Sequence, residues 1–244
     1  MARKPPRGLF ITGTDTEIGK TYVAALIARA LVSAGHRVGV YKPAASGCQR
    51  QGDTLVSDDA VALWQAAGSP GTLAEVCPQV FAAPLAPHLA AAAEGRELDA
   101  ALLRSGLEVW LERSDIVLVE GAGGLMSPLG EEEYVADLAY DLGFPLVVVA
   151  RNGLGVINHV LQTLITAATF RNGLNVAGVV LNQTSPRADD PSIALNAREI
   201  RRRAVPPVLA EVAFQAPAID GGIDWFALAG KRRTATIMTQ DDDT

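Results

Sequence analysis

The residues with the most evident chemistry are Gly13, Gly19, Lys20 and Thr21. They close a short apolar run, Gly8 to Thr12, with a glycine-rich turn that ends in Gly-Lys-Thr. Behind the turn Val23, Leu26, Ile27, Ala30 and Leu31 recur at helical spacing. Strand, loop, Gly-Lys-Thr and helix together make a cradle for a nucleoside triphosphate. Unpaired loop and first-turn amides face the phosphates, the Lys20 ammonium reaches the β and γ oxygens, and the Thr21 hydroxyl can ligate magnesium. Five residues separate Gly13 from Gly19 where the common loop has about four, and two of them, Asp15 and Glu17, are acidic. Such carboxylates repel a polyphosphate unless they turn away or meet a cation, so the loop is a specialised variant.

Further charged groups end apolar runs. Lys42 follows Val38 to Tyr41 and precedes Pro43, which biases it away from helical geometry. There it can meet a transferred phosphoryl group or an anionic substrate; the alternative is a solvated loop lysine. Ser46-Gly47 follows closely and can orient a small polar ligand. Ser57-Asp58-Asp59 reads as a helix start, where a capping serine and first-turn carboxylates need no metal to explain them. Glu120 ends Ile116 to Val119 and precedes Gly121-Ala122-Gly123-Gly124. An acidic group at that place holds or orients magnesium in phosphoryl-transfer sites, and the glycines let backbone amides approach a ligand. His36 reads as a surface residue and His88 and His159 as structural, none in a metal-ligand spacing.

These groups need a scaffold. The runs Val38 to Tyr41, Ile116 to Val119, Leu146 to Ala150 and Val176 to Leu181 are continuous and rich in β-branched residues, as strands of a parallel sheet buried on both faces are. Segments around 20–34, 58–67, 98–112, 156–170 and 192–203 carry helical patterns. The alternation predicts a single-domain, doubly wound α/β fold of P-loop NTPase type. Its mainly parallel sheet is flanked by helices and takes ligands at the carboxyl ends of its strands. Residues 68–97, rich in Ala, Pro and Gly, read as irregular structure over the sheet. The domain is expected to span 1–230, with 231–244 a mobile tail.

With 244 residues and 49% hydrophobic side chains the chain can bury one sizeable core. A net charge of −6 disfavours a nucleic-acid binder that works by phosphate neutralisation. Cys48 and Cys77 form neither a metal-ligand spacing nor a disulfide framework. With no apolar run of membrane-spanning or signal-peptide length, the expectation is a soluble, cytoplasmic protein with neither a nucleic acid nor a membrane as partner.

Read in order, several stretches resemble the dethiobiotin synthetase family. They are Gly-Thr-Asp-Thr-Glu-Ile-Gly-Lys-Thr (13–21), Tyr-Lys-Pro-Ala-Ala-Ser-Gly (41–47), Ser-Asp-Asp-Ala (57–60) and Val-Glu-Gly-Ala-Gly-Gly (119–124). Ala-Pro-His-Leu (86–89), Gly-Val-Ile-Asn-His (155–159) and Ala-Gly-Val-Val-Leu-Asn (177–182) are similar to that family too, and the likeness runs from residue 8 to about 215. The resemblance implies an ATP-dependent cyclo-ligase of biotin synthesis. Its substrate, 7,8-diaminopelargonic acid, takes up carbon dioxide as a carbamate, which accepts the γ-phosphoryl of ATP. The second amine then expels phosphate and closes the ureido ring.

The resemblance also implies roles. Lys20 and Lys42 would be catalytic, and Thr21, Asp59 and Glu120 would surround magnesium. The nucleotide would further meet Glu17, Ile18, Gly19, Tyr22, Gly121, Ala122, Gly123, Asn182, Gln183, Ala213, Phe214 and Gln215. Thr16, Ser46 and Gly123 would bind the reacting end of the substrate. Leu154, Gly155 and Asn158 would take its carboxylate tail across a homodimer interface. Two anions, carbamate and triphosphate, have to be brought together, and two lysines with magnesium supply the cations; a carbamate oxygen needs no strong general base.

The base-recognition stretch departs from the family pattern: Asn182-Gln183 stands where many members have Asn-Asp, and 211–215 aligns only loosely. A triphosphate is expected, and strict adenine preference stays open. The rival is a partitioning-type P-loop ATPase acting as a nucleotide-driven dimer switch. Its loop carries a second lysine near the start, where this chain has Thr12-Gly13-Thr14. A cobyrinate-type amidotransferase would need a glutaminase domain, and a non-catalytic scaffold would not need Lys20, Lys42, Asp59 and Glu120.

Overall fold

A computed structural model describes residues 7–186, 189–219 and 222–231. Six parallel strands form the sheet: β1 (Arg7–Gly13), β2 (Val38–Tyr41), β3 (Ile116–Gly124), β4 (Leu146–Arg151), β5 (Val176–Asn182) and β6 (Val208–Val212). Their order is β6-β5-β4-β1-β3-β2, and a short antiparallel strand β7 (Gly230–Lys231) pairs with the start of β1. The helices that matter here are α1 (Lys20–Ser33), α2 (Asp58–Ala66), α3 (Val135–Leu142), α4 (Val156–Thr169) and α5 (Ile193–Arg203). The strands are apolar throughout because helices cover both faces: Leu9, Phe10 and Ile11 of β1 and Val147, Val148 and Val149 of β4 are all fully buried.

The strand order decides where a ligand can sit. The chain leaves β1 towards β2 on one side, and leaves β3 towards β4 on the other. Right-handed crossovers then put α1 and α3 on opposite faces and open a crevice between the carboxyl ends of β1 and β3. The Gly-Lys-Thr loop and Glu120 lie on its two sides.

Five expected strands are present, each within two residues or extended at its end. Several expectations need correction. Residues 68–97 are not simply irregular. Thr72 and Glu75 cap a short helix Leu73–Val76, Gln79–Val80 pairs with Ala44–Ala45, and Pro87 opens a helix to Ala93. The helix expected over 98–112 is two, Ala100–Ser105 and Glu108–Arg113, broken at Gly106. The Tyr41 hydroxyl donates to the carbonyls of Leu102 and Leu103 at 2.8 and 3.1 Å, and a Cβ on Gly106 would lie 2.4 Å from it. The Leu103 carbonyl, which a continuing helix would offer to the Leu107 N–H, accepts from the phenol instead, and the Leu107 N–H donates to Arg104 O at 3.3 Å. Finally Lys231, assigned to the tail, pairs with Arg7; residues 232–244 lie outside the described residues.

His36, expected at the surface, is half-buried and stacks on Phe226 with ring centroids 4.1 Å apart. Among the described residues no helix is long and apolar enough to cross a membrane. Both cysteines are buried free thiols; burial pushes the Cys77 thiol up to about 12 and raises that of Cys48. A thiol alkylates as its thiolate, so iodoacetamide at pH 8 should label neither residue in the folded protein and both in guanidinium. Labelling of Cys77 without denaturant would contradict the packing described.

Candidate active site

The loop after β1 is held from several sides. Thr14 N–H donates to Val149 O at 3.0 Å, and Asn182 Nδ2 donates to Ile18 O at 2.9 Å. Gly19 takes a left-handed φ of 83° at the start of α1, and a Cβ there would lie 2.2 Å from Asn182 Nδ2. Only glycine fits both the backbone and the neighbour. The first amides of α1 are left unpaired by helix geometry and face the crevice. Asp15 bends back to accept the Thr16 N–H at 2.7 Å, and Asp15 and Glu17 are both exposed, so water screens their charges from the cradle. Lys20 Nζ donates to Asp15 O at 2.8 Å; burial lowers its pKa, partly offset by Glu120.

Across the crevice the sheet ends build a charged cluster. Lys42, 5% exposed, places Nζ 2.7 Å from Asp59 Oδ2 and 2.6 Å from Glu120 Oε1. Thr21 Oγ1 donates to the same Glu120 oxygen at 2.7 Å. Burial acts to lower the Lys42 pKa, but the carboxylates of Glu120 and Asp59 outweigh it and raise it above the ordinary lysine value. Burial acts to raise the Asp59 carboxyl, and Lys42 outweighs that and holds it low. Ser57 Oγ accepts the Ala60 N–H at 3.2 Å, as a capping residue should. Both first-turn aspartates are exposed, and of the two it is Asp59 that reaches the lysine.

The Glu120 side chain is 2% exposed, and its Oε2 is buried without a partner among the described residues. A buried carboxylate oxygen costs free energy unless something meets it. Hydroxyl and carboxylate oxygens are the donors magnesium selects, and it takes only one or two protein carboxylates beside phosphates and water. Thr21, Asp59 and Glu120 therefore fit a magnesium ion. Replacing Glu120 with Gln should raise the magnesium needed for half-maximal rate about tenfold or more. An unaltered magnesium titration would make Glu120 a purely structural partner of Lys42.

A cleft of about 810 Å³ opens over this cluster. Its walls bring together the expected Thr16, Glu17, Gly19, Lys20, Thr21 and Tyr22 with Lys42, Ser46 and Asp59, and with Glu120, Gly121, Ala122 and Gly123. Gly123 takes a φ of 77°, and a Cβ there would lie 2.2 Å from Ser127 Oγ, which accepts the Gly124 N–H at 2.8 Å. Sequence reasoning gave no role to Ser127, Pro128 or Pro84–Pro87, which also line the cleft. Pro at a helix start and Ser just past the glycines were the available signals.

Other expected residues do not line this cleft. Ile18 is buried in the core and exposes only its carbonyl, to Asn182. Asn182 Oδ1 is buried without a partner among the described residues, and the Gln183 N–H donates to Val212 O at 2.9 Å. Ala213, Phe214 and Gln215 form a turn closed by Ala216 N–H to Ala213 O at 3.1 Å. The Tyr22 hydroxyl donates to Ala216 O, tying that turn to α1. Leu154, 89% exposed, lies with Gly155 and Asn158 at the start of α4, outside the cleft of their own chain.

A phosphate-cradling loop at the switch point of a parallel sheet, facing a lysine clamped by two carboxylates, defines a P-loop nucleoside-triphosphate protein. Residues 7–218 match the family model described as an AAA domain. The chain is 50% identical to the ATP-dependent dethiobiotin synthetase BioD of Anaeromyxobacter dehalogenans over 196 residues, 80% of this chain and 85% of that one. It is 43% identical to the protein of the same name from Rhodopirellula baltica over 214 residues, 83% of this chain and 82% of that one. A ParA family ATPase from Chlorobium tepidum superposes with a TM-score of 0.52 at 16% identity, covering 87% of this chain and 85% of that one, a likeness of fold alone. The chain belongs to the ATP-dependent dethiobiotin synthetase family.

Proposed function

We propose that this chain carboxylates 7,8-diaminopelargonic acid and closes its ureido ring at the expense of ATP, giving dethiobiotin, ADP and phosphate. The observation that carries the reading is Lys42, buried between Asp59 and Glu120 and facing the Gly-Lys-Thr loop across one cleft. One amine of the substrate adds to carbon dioxide and loses a proton, leaving a carbamate. A carbamate oxygen attacks the γ-phosphorus and the ADP oxygen leaves. The second amine attacks the carbamate carbon, the carbon–oxygen bond to phosphate breaks, and a proton departs as the ring closes.

Lys20 and Lys42 balance the charge that gathers on the transferring group, and pre-placed charge of this kind is the main lever in phosphoryl transfer. Thr21, Asp59 and Glu120 would hold magnesium, which when bound neutralises the β and γ oxygens. Thr16, Ser46 and the Gly123 amide line the end of the cleft where carbamate and amine would lie. The base would rest near Glu17, Tyr22, Asn182, Gln183 and the 213–215 turn. Asn182 Oδ1 offers an acceptor, and Gln183 brings an amide where a carboxylate would insist on an amino group.

The substrate's carboxylate would be held by the amides at the start of α4. The N–H groups of Gly155, Ile157 and Asn158 donate to no acceptor among the described residues, whereas that of Leu154 donates to Asp190 Oδ2. In a homodimer that helix start would face the partner's cleft, and exposed Leu85, Leu89, Met126 and Leu154 supply apolar surface for such an interface. The test is isotopic. With ¹⁸O-labelled bicarbonate in a single turnover, the released phosphate should carry one ¹⁸O, from the carbamate oxygen that bridged carbon and phosphorus. Unlabelled phosphate would mean that water attacks ATP and would refute the ligase reading.

A further inference from the structure

We propose that Asn196 is a positioning residue for the carboxylate tail of the substrate, because it fixes the loop that sets the free amides at the start of α4. The inference rests on the reading of that helix start as the tail's binding place. Asn196 lies inside α5, 3% exposed, in a seam otherwise made of Val156, Val160, Ala197 and Ile200. Packing alone would be served by a leucine or alanine. A buried amide is costly there unless its hydrogen bonds are made, so its presence signals a specific partner.

That partner is the loop after β4. Asn196 Nδ2 lies 2.9 Å from Asn152 Oδ1 and 3.2 Å from Gly153 O, with Ser192 Oγ at 3.3 Å. Asn152 is itself only 6% exposed. The Gly153 carbonyl also accepts the N–H of Val156, the first residue of α4, at 3.1 Å. Moving that carbonyl therefore tilts the first turn. From the other side Asp190 Oδ2 accepts the Leu154 N–H at 3.1 Å, while its Oδ1 accepts from Ser192 N and Oγ at 2.9 and 2.6 Å. The loop is clamped on both sides of the 153–154 peptide. Gly155 then turns with a φ of 95°, and the next unpaired amides all issue from this fixed turn.

The role can be separated from plain stability by changing the substrate as well as the protein. Asn196→Ala should raise KM for 7,8-diaminopelargonic acid about tenfold, with kcat and KM for ATP within about twofold. With 2,3-diaminononane, the same diamine carrying a methyl in place of the carboxyl, wild type and variant should have equal KM. A variant that does not fold is replaced by Asn152→Ala, which removes only the side-chain half of the bridge and should show the same substrate dependence. An equal penalty on both diamines, or none on the acid, overturns the proposal. If instead the wild type itself binds both diamines equally, the reading of α4 as the carboxylate site fails first and takes this inference with it.

Discussion

Replacing Lys42 with Gln should lower kcat by about 10²- to 10³-fold while KM for ATP changes only a few-fold, because in the proposed mechanism the ammonium would stabilise charge that develops during transfer rather than the bound nucleotide. The same substitution should destabilise the fold. Glu120 would stay buried with its only close cation gone among the described residues, the Thr21 hydroxyl still on Oε1 and Oε2 already unpaired, and breaking a buried ion pair in this way costs about 3–5 kcal/mol. The Asp59 side chain is 53% exposed, so water screens its bond and it adds little to that loss. The two effects separate in the double variant Lys42→Gln with Glu120→Gln: thermal stability should largely return, and the rate should not. A single variant with unchanged kcat would remove Lys42 from the chemistry. The pair also sets a pH window for stability. The Lys42 contribution is present at neutral pH and is lost as pH rises through its elevated value, and the smaller one of the exposed Asp59 contact is lost as pH falls through the depressed Asp59 value.

The second large effect is expected at Gly19. Gly19→Ala should weaken nucleotide binding about 100-fold or more, measured by calorimetry with ADP or ATP. An alanine at a φ of 83° carries strain of about 1–2 kcal/mol, and its Cβ would drive Asn182 Nδ2 away from the Ile18 carbonyl. The loop then loses both its turn and its anchor. Adding Asn182→Ala removes the collision but leaves the strain and the unpaired carbonyl, so binding should recover only in part. Full recovery would show that the left-handed turn is unimportant, and unweakened binding by the single variant would contradict the cradle as described.

Much of this is legible in the residues themselves. The runs Val38 to Tyr41 and Leu146 to Ala150 are continuous and β-branched because both faces of the sheet are covered, and such runs declare themselves. Strand β6, Val-Leu-Ala-Glu-Val, carries no such signal because it is an edge strand with Glu211 exposed and lacks that continuity. Helix α3 is hard to read in the sequence because it is only 8 residues long and starts without a capping side chain of the usual kind; Asp137 reaches back to the Tyr134 N–H instead. The break at Gly106 depends on where the Tyr41 hydroxyl lands, a tertiary fact that no local pattern contains.

The site divides in the same way. Lys20 and Thr21 are contiguous with their loop and could be read directly. Lys42, Asp59 and Glu120 lie 17 and 78 residues from one another along the chain, Lys42 being the common partner, and only the strand order brings them together. Residue type could not separate Asp58 from Asp59, since both suit the first turn of α2; the direction of the side chain does. The bonds from Asn182 to Ile18 and from Tyr22 to Ala216 are longer-range still, and with that from Asn196 to Asn152 they explain residues to which the sequence gives a vaguer role or none.

The central claim is that ATP cleavage in this chain is coupled to ring closure. Its most direct test is phosphate release from ATP with magnesium and bicarbonate, with and without 7,8-diaminopelargonic acid, with dethiobiotin measured in the same samples. Phosphate release that depends on the diamine and equals the dethiobiotin formed is the predicted result. Release that ignores the diamine, with no dethiobiotin, would contradict the account and leave a nucleotide-driven switch as the better description of the same fold.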